Sequence, residues 1–168
     1  MYYHGQGSFL LGGQIKATKN KRKKHFLVNR GQSHGIIVYS DGSPVGWLQY
    51  GTREELPRID ASRTYSKLEL ENGKKTLWRI TCFFVDRDAR DTGVAGFALK
   101  TALSSIRKRG GGIVEAYPLE NIEIVPRKTA KGKASFMWSG TVSMFKKLGF
   151  KVVARLSKSR RLMRKTIS

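Results

Sequence analysis

The chain has 168 residues, of which 39% are hydrophobic, and this is enough to form one globular domain with its own core and excludes a wholly disordered protein. Its 33 Lys and Arg against 12 Asp and Glu give a formal net charge of +21, which points to a phosphorylated or polyanionic partner. The single cysteine excludes an internal disulfide framework and a cysteine-rich zinc site, and it fits a reducing compartment.

The positive charge lies at the two ends of the sequence. Residues 1–40 carry seven Lys and Arg and residues 124–168 carry thirteen, and neither segment has an acidic residue. We predict a basic, Gly-rich arm or loop over 1–34 and a folded domain over 35–168. The densest run, residues 19–24, is typical of a solvated arm, and a nucleic-acid-binding segment is the alternative.

Nothing in the sequence indicates a membrane segment or a metal site. No stretch approaches the ~18 apolar residues that cross a bilayer, and the first residues lack the basic start and apolar core of a signal peptide. The three histidines are isolated in polar segments, so no metal site is predicted. We expect a cytoplasmic protein.

The first predicted element is a β-hairpin. Residues 36–39 and 44–50 are β-prone, and Asp41-Gly42 lies in the short segment between them, which is a strong hairpin signal. Residues 51–76 predict a long connection with a short helix.

A strand, a helix and a second strand are predicted next. Residues 78–85 are almost continuously apolar, β-branched or aromatic, as in a strand buried on both faces. Residues 94–109 place apolar side chains at helical spacing, and three glycines then end the helix. Residues 113–117 form a second buried strand, so the two strands should be parallel.

The remaining elements are shorter. Residues 119–138 predict another long loop, and residues 141–148 a short helix that ends at Gly149. Residues 152–156 and 161–167 predict a final hairpin.

The turn that follows the first buried strand is the most informative segment. A helix begins there with unpaired amides, and Gly93 and Gly96 allow a ligand to approach the backbone, so the turn could bind a phosphate or pyrophosphate. Arg87 and Arg90 could add charged contacts. The alternative is an ordinary tight strand-to-helix turn. Neither a Walker A motif nor a dinucleotide-binding fingerprint is present.

Residues 90–95, Arg-Asp-Thr-Gly-Val-Ala, resemble the Arg/Gln-x-x-Gly-x-Gly/Ala signature of the GNAT superfamily of N-acetyltransferases. Residues 145–150, Phe-Lys-Lys-Leu-Gly-Phe, are similar to the helix end and Gly-Phe turn of the same fold. Residues 78–85 and 114–118 resemble a bacterial subgroup. The resemblance covers about residues 35–168.

The resemblance implies an α/β fold (α+β, with a mixed sheet) in which two splayed parallel strands are flanked by helices and acetyl-coenzyme A lies between the strands. The backbone of Phe83 and Val85 would bind the pantetheine arm and the thioester carbonyl, and the amides of the turn would bind the pyrophosphate. The implied donor-binding residues are Phe83, Val85, Arg90, Asp91, Thr92, Gly93, Val94, Ala95 and Gly96. The implied reaction is direct attack by a primary amine, on a small molecule or a protein, on the thioester.

The sequence departs from better-known members of the superfamily at two catalytic positions. Phe145 stands where many members have a tyrosine that acts as the catalytic acid, and Arg79 stands where histone-type members have a glutamate base. Arg79 could bind an acidic acceptor, or it could pair with Glu69 or Glu71.

Two other residues are candidates for catalysis. Glu115 is the one carboxylate in a predicted buried strand, and burial favours proton uptake by a carboxylate. It is therefore a candidate base, and the alternative is an edge residue that pairs with a basic neighbour. Tyr117, on the same face, is a candidate acid or a packing aromatic. Cys82 is expected in the core.

A second class of function stays open on the sequence. A basic protein could keep the same scaffold for binding nucleic acid without catalysis, with its charged ends contacting phosphates. Steep salt dependence would favour this alternative over a donor cleft.

Overall fold

A computed structural model describes residues 11–120 and 137–168. The chain divides after His34 into two units, which are described separately. No helix in the described ranges combines the length and apolar character needed to cross a membrane.

The first unit contains helix α1 (Leu11–Asn29). Its second half is rich in lysine, a good helix former, and no proline interrupts it. The charge run for which the sequence predicts an arm or loop is therefore helical. Residues 21–24 are four consecutive cations at about 100° intervals, so positive charge surrounds the helix axis. The division into an arm over 1–34 and a domain over 35–168 stays a prediction.

The second unit is built on a six-stranded mixed sheet. The strands are β1 (His34–Ser40), β2 (Ser43–Thr52), β3 (Leu77–Val85), β4 (Gly112–Ala116), β5 (Lys151–Arg155) and β6 (Arg161–Ile167). Their order across the sheet is β1-β2-β3-β4-β6-β5. Strands β3 and β4 are parallel, whereas β2 with β3, β4 with β6 and β5 with β6 are antiparallel. The predicted mixed sheet with flanking helices is confirmed.

The hairpin between β1 and β2 turns where the sequence predicts it. Asp41 has φ of 49° and Gly42 has φ of 77°. Two successive positive φ angles are the conformation of the tight turn that matches the twist of a two-stranded ribbon.

Helices α2 (Val94–Lys108) and α3 (Val142–Lys147) share one core with β2, β3 and β4. Buried α2 residues lie at the spacing of the predicted stripe: Ala98, Leu99, Ala102, Leu103 and Ile106. The side chain of Thr141 accepts the Met144 N–H and caps α3.

A second, smaller core lies on the opposite face of the sheet. It contains Ile59 and Tyr65 from the connection between β2 and β3, together with Tyr117 and Leu162. The connection forms two short 3-10 turns at Pro57–Ile59 and Tyr65–Lys67. Because side chains alternate along a strand, Glu115 points to this second face while its neighbours in β4 enter the first core. Most of the predicted loop over 119–138 lies outside the described residues.

Strand β3 contains a β-bulge. Gln49 pairs with Cys82 and Tyr50 pairs with Ile80, so Thr81 has no partner residue in β2. The extra residue shifts the alternation, and Ile80 and Phe83 therefore both enter the first core.

Candidate active site

The parallel strands separate halfway along β3. Pairing runs from Leu77 with Ile113 to Ile80 with Ala116, and then stops while β3 continues to Val85. The continuation of β4 forms isolated bridges to other partners at Leu119. A cleft therefore opens beside the second half of β3, as the splayed arrangement requires.

The segment before α3 lies in this gap. The 3-10 turn Met137–Ser139 packs on β3, and the Gly140 carbonyl accepts the Leu119 N–H at 3.1 Å. A Cβ at Gly140 would stand 3.4 Å from the Phe83 ring. The segment thus contacts β3 on one side and the continuation of β4 on the other.

The second half of β3 turns toward the cleft an edge with which no strand in the described ranges pairs. The Asp86 N–H donates to the Val45 carbonyl of the neighbouring strand β2 at 2.8 Å. Because hydrogen-bonding direction alternates along an antiparallel strand, Phe83 and Val85 direct their backbone groups to the other edge. No strand in the described ranges pairs with that edge beyond Ile80.

The cleft edge of β3 leads into the N-terminus of α2. Gly93 is the N-cap, has φ of 89° and provides no side-chain cap for the first amides. A Cβ at Gly93 or at Gly96 would meet nothing within 4 Å. Open space next to uncapped helix amides is suited to an anion.

Side chains in the preceding turn carry both signs of charge. Arg90 donates through Nε to the Val85 carbonyl at 3.5 Å, and Arg87 is exposed. The Asp86 carboxylate accepts the Asp88 N–H at 3.1 Å, which stabilises the turn. The turn therefore supplies directed donors more than a net positive charge.

Glu115 lies fully buried in a polar cluster. Its Oε2 accepts hydrogen bonds from the hydroxyls of Tyr65 at 2.8 Å and Tyr117 at 2.6 Å. Its Oε1 accepts two from Arg164, at 2.9 Å from Nε and 2.7 Å from Nη2. Arg79 Nε lies 3.8 Å from Oε2. Glu115 therefore forms the ion pair with a basic neighbour that the alternative interpretation expects, here with Arg164. A catalytic role for Glu115 stays a prediction.

Arg79 is fully buried beside this cluster. Its guanidinium donates to both oxygens of Asp60, at 2.9 and 2.7 Å, and to the Leu56 carbonyl at 2.7 Å. The partner is thus Asp60 and not Glu69 or Glu71. The Arg79 bonds hold the pKa of Asp60 below its usual value. Burial opposes the charge of Arg79, but the bond to Asp60 holds its pKa above the usual value.

Burial also raises the pKa of three weaker acids in the second unit. It raises the pKa of Tyr117 well above the usual value, and the neighbouring Glu115 charge adds to this effect. Burial raises the pKa of Tyr65 as well. The pKa of the Cys82 thiol is raised by burial, which disfavours the thiolate that a nucleophilic cysteine needs.

Phe145 fills core space and carries no hydroxyl into the cleft. It is fully buried and packs edge-on against Phe83 and Phe150, with ring centroids 6.0 and 5.0 Å away. A buried hydroxyl is present instead at Ser139, which is 4% exposed. Its Oγ has no hydrogen-bond partner among the described residues. Sequence reasoning missed this residue, since neither its burial nor its missing partner leaves a local signal.

Comparison with known proteins gives a family. The model of the GNAT acetyltransferase family matches residues 9–121, and thus begins before the predicted domain boundary at residue 35. The comparison with curated proteins found no match.

Solved structures share the fold at low sequence identity. A ribosomal-protein-alanine N-acetyltransferase from Brucella melitensis is 15% identical, with a TM-score of 0.54 over 89% of this chain and 78% of that one. The PaiA N-acetyltransferase from Thermoplasma acidophilum, solved in complex with coenzyme A, is 13% identical, with a TM-score of 0.53 over 91% and 73%. The chain therefore belongs to the GNAT family of acetyltransferases, which use acetyl-coenzyme A as donor.

Proposed function

We propose that this protein transfers the acetyl group of acetyl-coenzyme A to a primary amine by direct attack of the amine on the thioester. One observation carries the proposal: the open edge of β3 leads directly to the uncapped N-terminus of α2. A ligand with an extended amide-bearing arm and a pyrophosphate fits that continuous surface.

The donor would be held mainly by backbone. The pantetheine arm would pair with Phe83 and Val85, whose backbone groups face the cleft, as an added strand pairs with a sheet edge. The pyrophosphate would accept hydrogen bonds from the first amides of α2, where Gly93 and Gly96 leave space. Residues 90–92 and 94–95 complete the proposed cradle.

The amine must lose a proton as it bonds to the carbonyl carbon. We assign Glu115 as the base, but each of its oxygens already accepts two hydrogen bonds. A proton can therefore reach Glu115 along one of those bonds. Tyr117 is the group proposed to pass protons, taking one from the amine side while donating its own to Glu115, and it could act as the acid in the reverse sense.

A second candidate function is binding of a polyanion without catalysis. The observation in its favour is α1, where residues 21–24 surround the helix axis with positive charge. Contacts to several phosphates would make affinity for RNA or DNA fall steeply with salt, whereas the backbone-held donor depends on salt much less.

The test combines donor binding with acceptor turnover. Acetyl-coenzyme A should raise the melting temperature and give binding heat in calorimetry, because it binds only the folded state. A panel of primary amines on small molecules and peptides should then identify an acceptor by release of the free thiol. Absence of donor binding at millimolar concentration would refute the proposal, and salt-sensitive RNA binding in its place would support the second candidate.

A further inference from the structure

Ser139 has a hydroxyl that the described part of the fold leaves without a partner. The residue is 4% exposed, and its Oγ makes no hydrogen bond with any described residue. A buried hydroxyl without a partner is unfavourable, so such groups are few in folded proteins. A ligand that accepts this hydrogen bond would remove the penalty.

The place of Ser139 in the fold indicates which ligand. It ends the 3-10 turn that packs on β3, and it directly precedes Gly140, whose carbonyl bonds to the continuation of β4. It therefore lies where the parallel strands have separated. Under the proposed function, this gap holds the reactive end of the donor.

Four other buried or half-buried hydroxyls of the second unit already have partners. The Thr81 hydroxyl donates to the side-chain oxygen of Gln49 in β2 at 3.2 Å, and the Thr141 hydroxyl caps α3. Tyr65 and Tyr117 both donate to the same buried carboxylate. Of these hydroxyls, Ser139 is the one that makes no hydrogen bond to a described residue.

We propose that the Ser139 hydroxyl donates a hydrogen bond to the sulfur of coenzyme A and stabilises it as the leaving thiolate. This inference rests on the proposed function. In the transfer, the amine nitrogen bonds to the carbonyl carbon, the carbon–sulfur bond breaks, and the sulfur keeps the electron pair. The amine proton passes to the base. The Ser139 hydroxyl keeps its own proton and donates only the hydrogen bond.

The experiment compares coenzyme A with desulfo-coenzyme A, which lacks the sulfur. Calorimetry at about pH 9.5, where a substantial fraction of an alkyl thiol is ionised, measures both affinities for the full-length wild type, Ser139→Ala and Ser139→Thr. Ser143→Ala is the control, since it removes an exposed hydroxyl from the adjoining helix α3. Thermal unfolding confirms that each variant is folded.

A sulfur-specific effect is expected. Ser139→Ala should lower the affinity for coenzyme A by about 10-fold or more, as expected for a lost hydrogen bond to a charged group. Its affinity for desulfo-coenzyme A should stay within twofold of the wild-type value. Ser139→Thr, which keeps a hydroxyl, should recover most of the affinity. Equal losses for both ligands, or no loss for either, would overturn the assignment of Ser139 while the donor site stands. If neither ligand binds the wild type, the proposed function itself fails.

Discussion

Gly96 allows the anion cradle to be tested without harming the helix that forms it. It is the third residue of α2, its φ is outside the left-handed region, and a Cβ there would meet nothing within 4 Å. Gly93 is less suitable, because its φ of 89° strains any other residue. Gly96→Asp would place a carboxylate where the pyrophosphate is proposed to bind.

The substitution should have opposite effects on binding and on stability. Two like charges about 4 Å apart repel by about 4 kcal/mol at an effective dielectric constant of about 20 and by about 1 kcal/mol in water. Since about 1.4 kcal/mol is a tenfold change, the donor affinity should fall by roughly 5- to 1000-fold. The helix should gain, because glycine is about 0.3 kcal/mol worse than aspartate in a helix and an acid in the first turn adds about 0.3–1 kcal/mol.

Calorimetric titration with acetyl-coenzyme A and thermal unfolding would measure the two effects. Gly96→Asn is the matched control, since it has nearly the same shape as Gly96→Asp without the charge. The difference between these variants should shrink at high salt, because screening weakens the repulsion. A Gly96→Asp protein with raised melting temperature and wild-type donor affinity would refute the proposed cradle.

Three further predictions concern the buried polar cluster. If Glu115 is the base, Glu115→Gln should lower turnover roughly 10²–10⁴-fold in steady-state assays on the true acceptor. It should keep donor affinity and should lower the melting temperature, because the Arg164 charge loses its partner. Exposed Glu69→Gln is the control, and normal turnover of Glu115→Gln would remove Glu115 from the mechanism. Asp60→Asn should make the free energy of unfolding, measured by denaturant titration, fall less on acidification. Arg79 lowers the pKa of Asp60 in the folded protein, so the Asp60 carboxylate contributes stability above about pH 4 and loses it as the pH falls through the folded pKa. Tyr117→Phe should flatten the alkaline side of the stability–pH profile. The pKa of Tyr117 is raised in the folded state, so its stabilisation of the folded protein is complete below about pH 10 and is lost above it by up to about 1.4 kcal/mol per pH unit, until the pH reaches the folded pKa. An unchanged alkaline slope would contradict this prediction.

Elements with strong local patterns were predictable from the sequence. The Asp41-Gly42 turn, the α2 stripe and the parallel crossover from β3 to β4 each depend on residues close together in the chain, and the structure confirms them. Helix α1 was not predicted, because a run of lysines suits both a solvated arm and a helix.

The candidate site was predictable only in part. The turn before α2 was found because its backbone chemistry is local. The partners of Glu115 are 50 residues before it, at Tyr65, and 49 residues after it, at Arg164, and their convergence depends on the strand order. Pairing of Arg79 with Asp60 likewise depends on how the long connection folds back on the sheet.

The position of Arg164 in the sequence affects how the protein matures during synthesis. Chains fold from the N-terminal side as they emerge from the ribosome, so β4 is made well before β6, which carries Arg164 49 residues after Glu115. Until β6 adds to the sheet, Glu115 lacks its closest cation, and burying an uncompensated carboxylate is strongly unfavourable. The nascent domain is therefore expected to keep the second core open and to close it late, when β6 docks against β4.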